Sequence, residues 1–314
     1  MRHGVDKNYI RVRLPARRGS LEWRTLALIV GCYAVWFAAG MLYAVAAPVS
    51  VGLLALAIAL HSSLQHEAVH RHPTSHAGWN EALVFLPLGL LVPFRRYCDL
   101  HLRHHADDRL TDPYDDPESY YLSRRDYQSL PSALRVVLGW NNRLLARVAI
   151  GPAIGAIRFL RGEIRAMFTA GDRDARANRL AWGLHAIGLL AVMTIVRLVF
   201  AMPVWAYLVA AYLGLSLLAI RSFCEHRWAA HPDHRTVIVE RSWLSLLFLN
   251  NNLHLVHHKL PGLPWYALPT AYRSQRADWR AINDGYVFAS YRAVMRDYGL
   301  RAKEPVAHPH VRER

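Results

Sequence analysis

Two long stretches of this chain are almost free of charge. Between Arg24 and Glu67 there is no Asp, Glu, Lys or Arg, and between Arg179 and Arg221 only Arg197 interrupts the run. Each stretch is about forty residues, which is two membrane spans of roughly 20 residues. Pro48 and Pro203 stand near the midpoints, where a turn would fall. The pattern predicts two helical hairpins, 26–46 with 49–65 and 180–200 with 204–220. Buried helices of a soluble core do not require charge-free runs of this length. Residues 82–94 are also apolar, but Pro87 and Pro93 interrupt them and the segment is too short to cross, so an interfacial or re-entrant piece is expected. Residues 145–169 mix apolar positions with Arg147, Arg158, Arg161 and Arg165, the pattern of an amphipathic surface helix.

The expected fold class is therefore an all-α integral membrane protein, with four transmembrane helices as two hairpins and a helical cap on one side. The expected organisation is a basic arm at 1–24, a membrane domain at 25–272 and a polar C-terminal tail at 273–314, helical in part around 279–298. Residues 1–24 carry seven Lys and Arg against Asp6 and Glu22, while the turns at Pro48 and Pro203 carry none. The positive-inside rule then puts both termini and the loop between the hairpins in the cytoplasm, in a multi-pass inner-membrane protein. Arg197, near the outer end of the third span, is the one residue against this. The net charge of +15 could suggest nucleic acid. Much of the excess lies beside the spans, which favours anionic lipid headgroups and no nucleic acid. The first apolar run is too long for a signal-peptide core and reads as a retained span. Cys32, Cys98 and Cys224 form no CxxC pair, which leaves no disulfide framework and no cysteine-based iron or zinc site.

Histidines carry the candidate chemistry. They form four clusters, each just past an apolar segment: His66 and His70; His101, His104 and His105; the single His226; and His254, His257 and His258. Spacings of i, i+3 and i+4 put side chains on one face of a helix, where imidazoles can share a metal ion. Nine are too many for one ion and suit two. Zinc would close with about four ligands, so the set points to a redox pair, most simply iron. Ligating imidazoles need a partner on the other nitrogen. Glu67, Glu225 and Asn250 are the leading candidates, with Asp99, Asp107, Asp108, Asn251 and Asn252 also close in sequence. The remaining histidines fit worse. His61 lies about 140° around the helix from His66 and His72 about 200° from His70. His76, His231 and His234 read as loop residues, and His185 as a neutral packing group within a span.

The HxxxH, HxxHH and HxxHH boxes, with His226 standing 28 residues before His254, resemble those of the integral-membrane fatty acid desaturase and hydroxylase superfamily. The run from Asn252 to Tyr266, with Pro261, Pro264 and Trp265, is similar to the third-box region of bacterial members. So are Asp112-Pro113 and Asp116-Pro117-Glu118 after the second box. The resemblance implies a cytoplasmic-face centre of two ferrous ions held by His66, His70, His101, His104, His105, His226, His254, His257 and His258, with O₂ as co-substrate. It further implies hydrogen abstraction from an unactivated C–H bond, in lipid metabolism most simply as a fatty acyl desaturase. Hydroxylation of a hydrocarbon or small molecule is the alternative. No HPGG haem motif is present, so electrons are expected from a separate donor, such as a ferredoxin with its reductase. A reading of another class, a membrane metal transporter or sensor, would place ionisable ligands at mid-membrane. Here the clusters fall at span ends.

Overall fold

The computed structural model describes residues 21–106, 109–169 and 171–310. Most of the basic arm lies outside them, as do Asp107 and Asp108. Four helices are long and apolar enough to cross a membrane: Trp23–Ala44, Ala47–Val69, Arg173–Val199 and Val204–Glu225. Three begin within about three residues of the expected spans and the third starts seven residues early, at Arg173 where Leu180 was expected, and three overrun charged ends. α1 (Trp23–Met41) and α2 (Ala47–Val69) form the first hairpin, with Pro48 in the first turn of α2, where its missing N–H would have no helical partner. Hydropathy falls at His66, but helix geometry does not, so α2 carries on through the first histidine pair.

α3 (Ala77–Leu83) leads into the apolar segment holding Pro87 and Pro93, which is irregular rather than helical. Its carbonyls need donors from side chains. Tyr207 donates its hydroxyl to the Leu88 carbonyl at 3.0 Å, while Trp36 donates to the Tyr207 oxygen. His185 Nε2 bonds the Leu90 carbonyl at 2.9 Å, which gives this intramembrane histidine a packing role. The segment returns as α4 (Phe94–Ala106), which carries the second box. Short helices α5 (Arg124–Ser129) and α6 (Ser132–Asn141) precede α7 (Leu144–Thr169). α7 exposes Leu145, Ile157, Leu160, Ile164, Met167 and Phe168, as expected of a helix at a membrane surface.

α8 (Asp172–Thr194), continued by a π turn at Ile195–Val199, precedes α9 (Val204–Glu225), but the two meet chiefly at the π turn. α9 packs on α2 and α7, so the expected second hairpin is not a closely packed pair. α2 packs chiefly on α1 and α9. At the α2–α9 crossing a Cβ on Gly214 would stand 2.8 Å from Ile58 Cγ2 and 3.1 Å from the Ala55 carbonyl, so only glycine permits this approach. That contact holds the box-bearing ends of α2 and α9 side by side.

The cap continues with β1 (Ile238–Arg241), α10 (His254–Lys259), α11 (Leu268–Ser274), α12 (Arg276–Ile282), β2 (Val287–Ser290) and α13 (Tyr291–Tyr298). β1 and β2 pair in parallel, a small sheet within an otherwise helical fold that hydropathy did not indicate. The polar segment from Arg273 packs into this cap. Trp279 is fully buried among Ile238, Leu255 and Leu268, and the last described strand-like stretch runs beside Leu122, with Leu122 N bonded to the Val306 carbonyl at 3.0 Å. Isolated large apolar residues in a polar sequence, here Trp279 and Val294, are what anchor it.

Candidate metal centre

The first box ends α2. His66 sits in its last turn and His70 is its C-cap. The second lies on α4 and the third on α10. α10 is brief because the chain enters it through Leu249 and Asn250 at φ of 49° and 57°, and leaves it just before Pro261. It is tied to β1 by Val239 N to the Asn252 carbonyl (2.8 Å), Leu255 N to the Val237 carbonyl (3.1 Å) and Asn252 Nδ2 to the Val239 carbonyl (2.7 Å). His226 differs: it follows α9 in extended conformation (φ −128°, ψ 152°) and bridges to Thr236.

All nine histidines converge, in two groups. His66, His70, His101, His105 and His257 form one, and His104, His226, His254 and His258 the other. Within each, one nitrogen per ring lies within 4.8 Å of all the others. Helical spacing explains the split. Residues one turn apart at i+4 stay together, so His101 and His105 join one group and His254 and His258 the other. The i+3 residue leans to the opposite side, which sends His104 and His257 across. Each HxxHH helix therefore serves both groups.

The outward nitrogens are held by acceptors. His101 Nδ1 bonds Glu118 Oε1 at 2.7 Å, His104 Nδ1 bonds Asp116 Oδ1 at 2.8 Å and His254 Nδ1 bonds Asn251 Oδ1 at 2.9 Å. The Asn251 amide is oriented by Glu225, whose Oε1 faces Nδ2 at 3.4 Å. Carboxylate and amide oxygens only accept, so each of these imidazoles carries a proton on Nδ1 and, when neutral, turns a lone pair inward on Nε2. Glu225 acts through Asn251, and its own oxygen lies 3.7 Å from His254 Nδ1. Glu67 and Asn250 grip the chain after the third box instead. Glu67 Oε2 accepts Trp265 N at 3.1 Å, and Asn250 Nδ2 donates to the Trp265 carbonyl at 2.9 Å. Asp99 pairs with Arg96.

Asp116 and Glu118 were not singled out as supports, because they lie 12 and 17 residues beyond the histidines they hold, in a turn-rich loop. Their Asp-Pro-Glu run was the available signal. A second missed set clamps His226. Its carbonyl accepts from Lys303 Nζ at 2.5 Å, and the Tyr120 hydroxyl, whose one proton goes to Glu304, lies 3.2 Å from the same carbonyl. The other histidines fall outside both groups. His61 meets Tyr33 Oη, His72 pairs with Glu22 at 2.7 Å, and His76 and His231 cap short helices. No cysteine joins either group among the described residues.

The electrostatics suit a bound cation. Burial and mutual repulsion lower His70 to about 2 and His105 to about 3, and hold His226, His254, His257 and His258 well below the ordinary histidine value. These rings are uncharged at neutral pH. His104 is opposite: burial opposes its charge, but Glu118, Asp116 and Glu225 raise it to about 9. The carboxylates around the second group demand positive charge there. Inward Nε2 atoms stand 3.1–3.2 Å apart, as in His70–His101, His101–His105, His105–His257, His104–His226, His226–His254 and His254–His258. With no metal bound, the charged His104 can donate its Nε2 proton to His226 at 3.1 Å, and a bound cation would take the place of that proton. His66 Nε2 is buried without a hydrogen-bond partner, a loss of about 1–3 kcal/mol that a cation would remove.

The four spans, the imidazole clusters and their supporting carboxylates define a membrane oxidoreductase of the histidine-box type. The family model described as Fatty acid desaturase matches residues 40–290, which hold all nine histidines, and the chain belongs to that family. No curated protein matches the chain.

Proposed function

We propose that this chain is an O₂-dependent di-iron oxidase of the membrane that removes hydrogen from an unactivated C–H bond, as a fatty acyl desaturase. The observation that carries this reading is the convergence of nine imidazoles into groups of five and four, with Nε2 lone pairs turned inward at about 3.1 Å. The nine residues would hold two irons, and bound iron would supply O₂ reduction and hydrogen abstraction. The chain's own residues do the rest. Glu118, Asp116 and Asn251 accept from Nδ1 of His101, His104 and His254, which orients each ring with Nε2 toward the place a bound ion would take. Burial of the rings excludes water, which limits hydrolysis and proton leakage and strengthens each electrostatic contact. Both boxes that end spans, on α2 and α9, lie at the same side as the starts of α1 and α8. Positive charge beside those ends supports a cytoplasmic centre. The chain carries no flavin or haem motif, so a separate one-electron donor supplies electrons. Arg103, Arg227, Arg235 and Arg241 add positive charge near the boxes, suited to an acidic ferredoxin.

The test is mass spectrometry of membrane lipids from cells expressing the chain or its His104→Ala variant. Loss of two hydrogens, absent in the variant, supports desaturation. Gain of one oxygen would replace it with hydroxylation, and no change with iron-loaded protein and donor present would overturn the oxidase reading for lipids.

A further inference from the structure

A line of aromatic rings runs from the second histidine group to the surface of the cap. It starts at Tyr120, whose hydroxyl lies 3.2 Å from the His226 carbonyl. Tyr120 stacks on Tyr121, with ring centres 4.5 Å apart and planes inclined by 23°. The Tyr121 hydroxyl accepts the backbone N–H of Trp228 at 3.0 Å, and its ring meets that of His308 edge-on at 5.0 Å. The Trp228 ring stands 6.1 Å from His308 and 5.9 Å from His310. Tyr121 is fully buried and Trp228 half-buried. Trp228, His308 and His310 line an open cavity of about 600 Å³ beside the loop at 109–115. That is within the size range of small-molecule sites, roughly 300–1,000 Å³. Packing alone would be served as well by rings that cannot be oxidised.

Tyr120 has the partner that an oxidisable phenol needs. A phenol that loses an electron becomes a strong acid and sheds its proton at once. The Tyr120 hydroxyl already donates to Glu304, so a carboxylate stands ready to take that proton with no side chain moving. The surroundings oppose the step. Lys303 lies 3.4 Å from Glu304, and Lys303 and Arg147 stand over the Tyr120 ring at 5.3 and 5.4 Å. Protonating Glu304 leaves these cations uncompensated in a buried place, which is unfavourable. Tyr120 is therefore the high point of the line. A substrate C–H bond at the centre reacts ahead of it, and only an oxidised centre without substrate drains this way.

From these features we infer that Tyr120, Tyr121 and Trp228 form an escape route for oxidising equivalents, which spares the histidine ligands when oxygen reacts without substrate. The inference rests on the reading of the chain as an O₂-dependent oxidase. Tyr120 gives one electron to the oxidised centre, its O–H bond breaks and the proton goes to Glu304. Trp228 refills Tyr120 with an electron through the Tyr121 ring, and Glu304 returns the proton. The indole N–H of Trp228 releases its proton to water in the cavity. A small thiol entering the cavity then gives Trp228 one electron and one proton. Two such cycles reduce the centre by two electrons, release two protons and convert two thiols to one disulfide.

The test mixes the whole iron-loaded ferrous chain, in detergent, with O₂ in the absence of substrate and thiol. Loss of ferrous iron, the organic-radical signal in electron paramagnetic resonance, and oxygen added to each peptide by mass spectrometry are followed together. The wild type should give a radical signal as iron is oxidised, with oxygen added chiefly at Trp228. Trp243, which is 81% exposed and off the line, should gain little. Dithiothreitol should lower the oxidation of Trp228 severalfold. Trp228→Phe and Tyr121→Phe each keep a ring in place that cannot be oxidised, and Trp228 N keeps Glu304 Oε1 as acceptor at 3.1 Å. In both, oxygen added to the histidine ligands should rise severalfold and iron should be lost faster over repeated cycles. Iron oxidation with no radical, equal oxidation of Trp228 and Trp243, or histidine damage unmoved in both variants would each overturn the proposal and leave the oxidase reading standing. Ferrous iron indifferent to O₂ would instead sink the oxidase reading, and the escape route with it.

Discussion

The two histidine groups are built by different means. The group of five comes entirely from helices: His66 and the C-cap His70 on α2, His101 and His105 on α4, and His257 on α10. Its geometry follows from helical periodicity once those three helices are brought together. The group of four depends on His226, which lies on no helix and is set by contacts from afar. Lys303 holds its carbonyl, with the Tyr120 hydroxyl 3.2 Å away, and Thr236 pairs with its backbone. The electrostatics differ too. Asp116, Glu118 and Glu225 all act on His104 in the second group, while the rings of the first mostly repel one another. A centre of two such sites should bind its ions unequally, with the second site tuned by charge and by long-range hydrogen bonds.

The largest test of that contrast removes one ligand from each. His257→Ala and His104→Ala should both abolish turnover, and bound iron should drop from about two per chain to about one in each, as expected for a lost imidazole. Membrane insertion should persist, since neither residue lies in a span. Iron analysis of the purified variants checks this. Full occupancy in either, or zinc that sustains activity, would refute the two-site reading.

The next effect separates the supports. Asp116→Asn keeps the shape but removes a charge from His104 and can offer a donor where an acceptor is needed. It should weaken iron retention about 10–100-fold, as supporting residues of metal sites commonly do. The loss should be confined to the second site, seen as one fast and one unchanged phase of release to a chelator. Glu118→Gln should speed both phases, because Glu118 bonds His101 and also lies 4.0 Å from His104 Nε2. A single changed phase for Glu118→Gln would show that it serves one group alone.

These tests follow the line between what the sequence reveals and what it conceals. The four spans were legible because about forty residues without charge have few other solutions. The nine histidines were legible because i, i+3 and i+4 spacing is a property of local geometry. The split into five and four follows from the same spacing, with His104 and His257 on the opposite side from their neighbours. Asp116 and Glu118 were not assigned, since a turn-rich loop has no period to say which carboxylate points where. Glu67 lies beside His66 in sequence yet accepts Trp265 N, because its neighbour on the helix face differs from its neighbour in the chain. Lys303 and Glu304 sit in a polar stretch whose role depends on folding back over about 77 residues to reach His226.

Lys303→Met should come next in size. It deletes a buried charge that donates to the His226 carbonyl while keeping the length of the side chain. Glu304 then loses its cationic neighbour but keeps Tyr120 and Trp228 N as donors. Release from the second site should quicken by about tenfold, since a hydrogen bond from a charged group contributes roughly 1.5–3 kcal/mol and only part of it bears on His226. The first site should not respond. Equal acceleration of both phases would mean that the C-terminal segment stabilises the cap as a whole and does not position one ligand.

Tyr120→Phe is the mildest probe and the sharpest. The ring remains to pack on Tyr121, and Lys303 still holds the His226 carbonyl, so only one hydroxyl is withdrawn. A neutral hydrogen bond contributes about 0.5–1.5 kcal/mol, which sets a ceiling near tenfold and an expectation of a few-fold on the second site. Combining Tyr120→Phe with Lys303→Met should then exceed the sum of the two, because the Tyr120 hydroxyl, 3.2 Å from the His226 carbonyl, can turn to it once Lys303 is gone, and the double variant leaves that carbonyl neither donor. Two residues that share a partner couple in this way. Chelator release in the double variant, set against the two singles, measures that coupling. Strict additivity would show that Tyr120 acts through Glu304 alone, and that His226 is held by Lys303 and the Thr236 bridge without it.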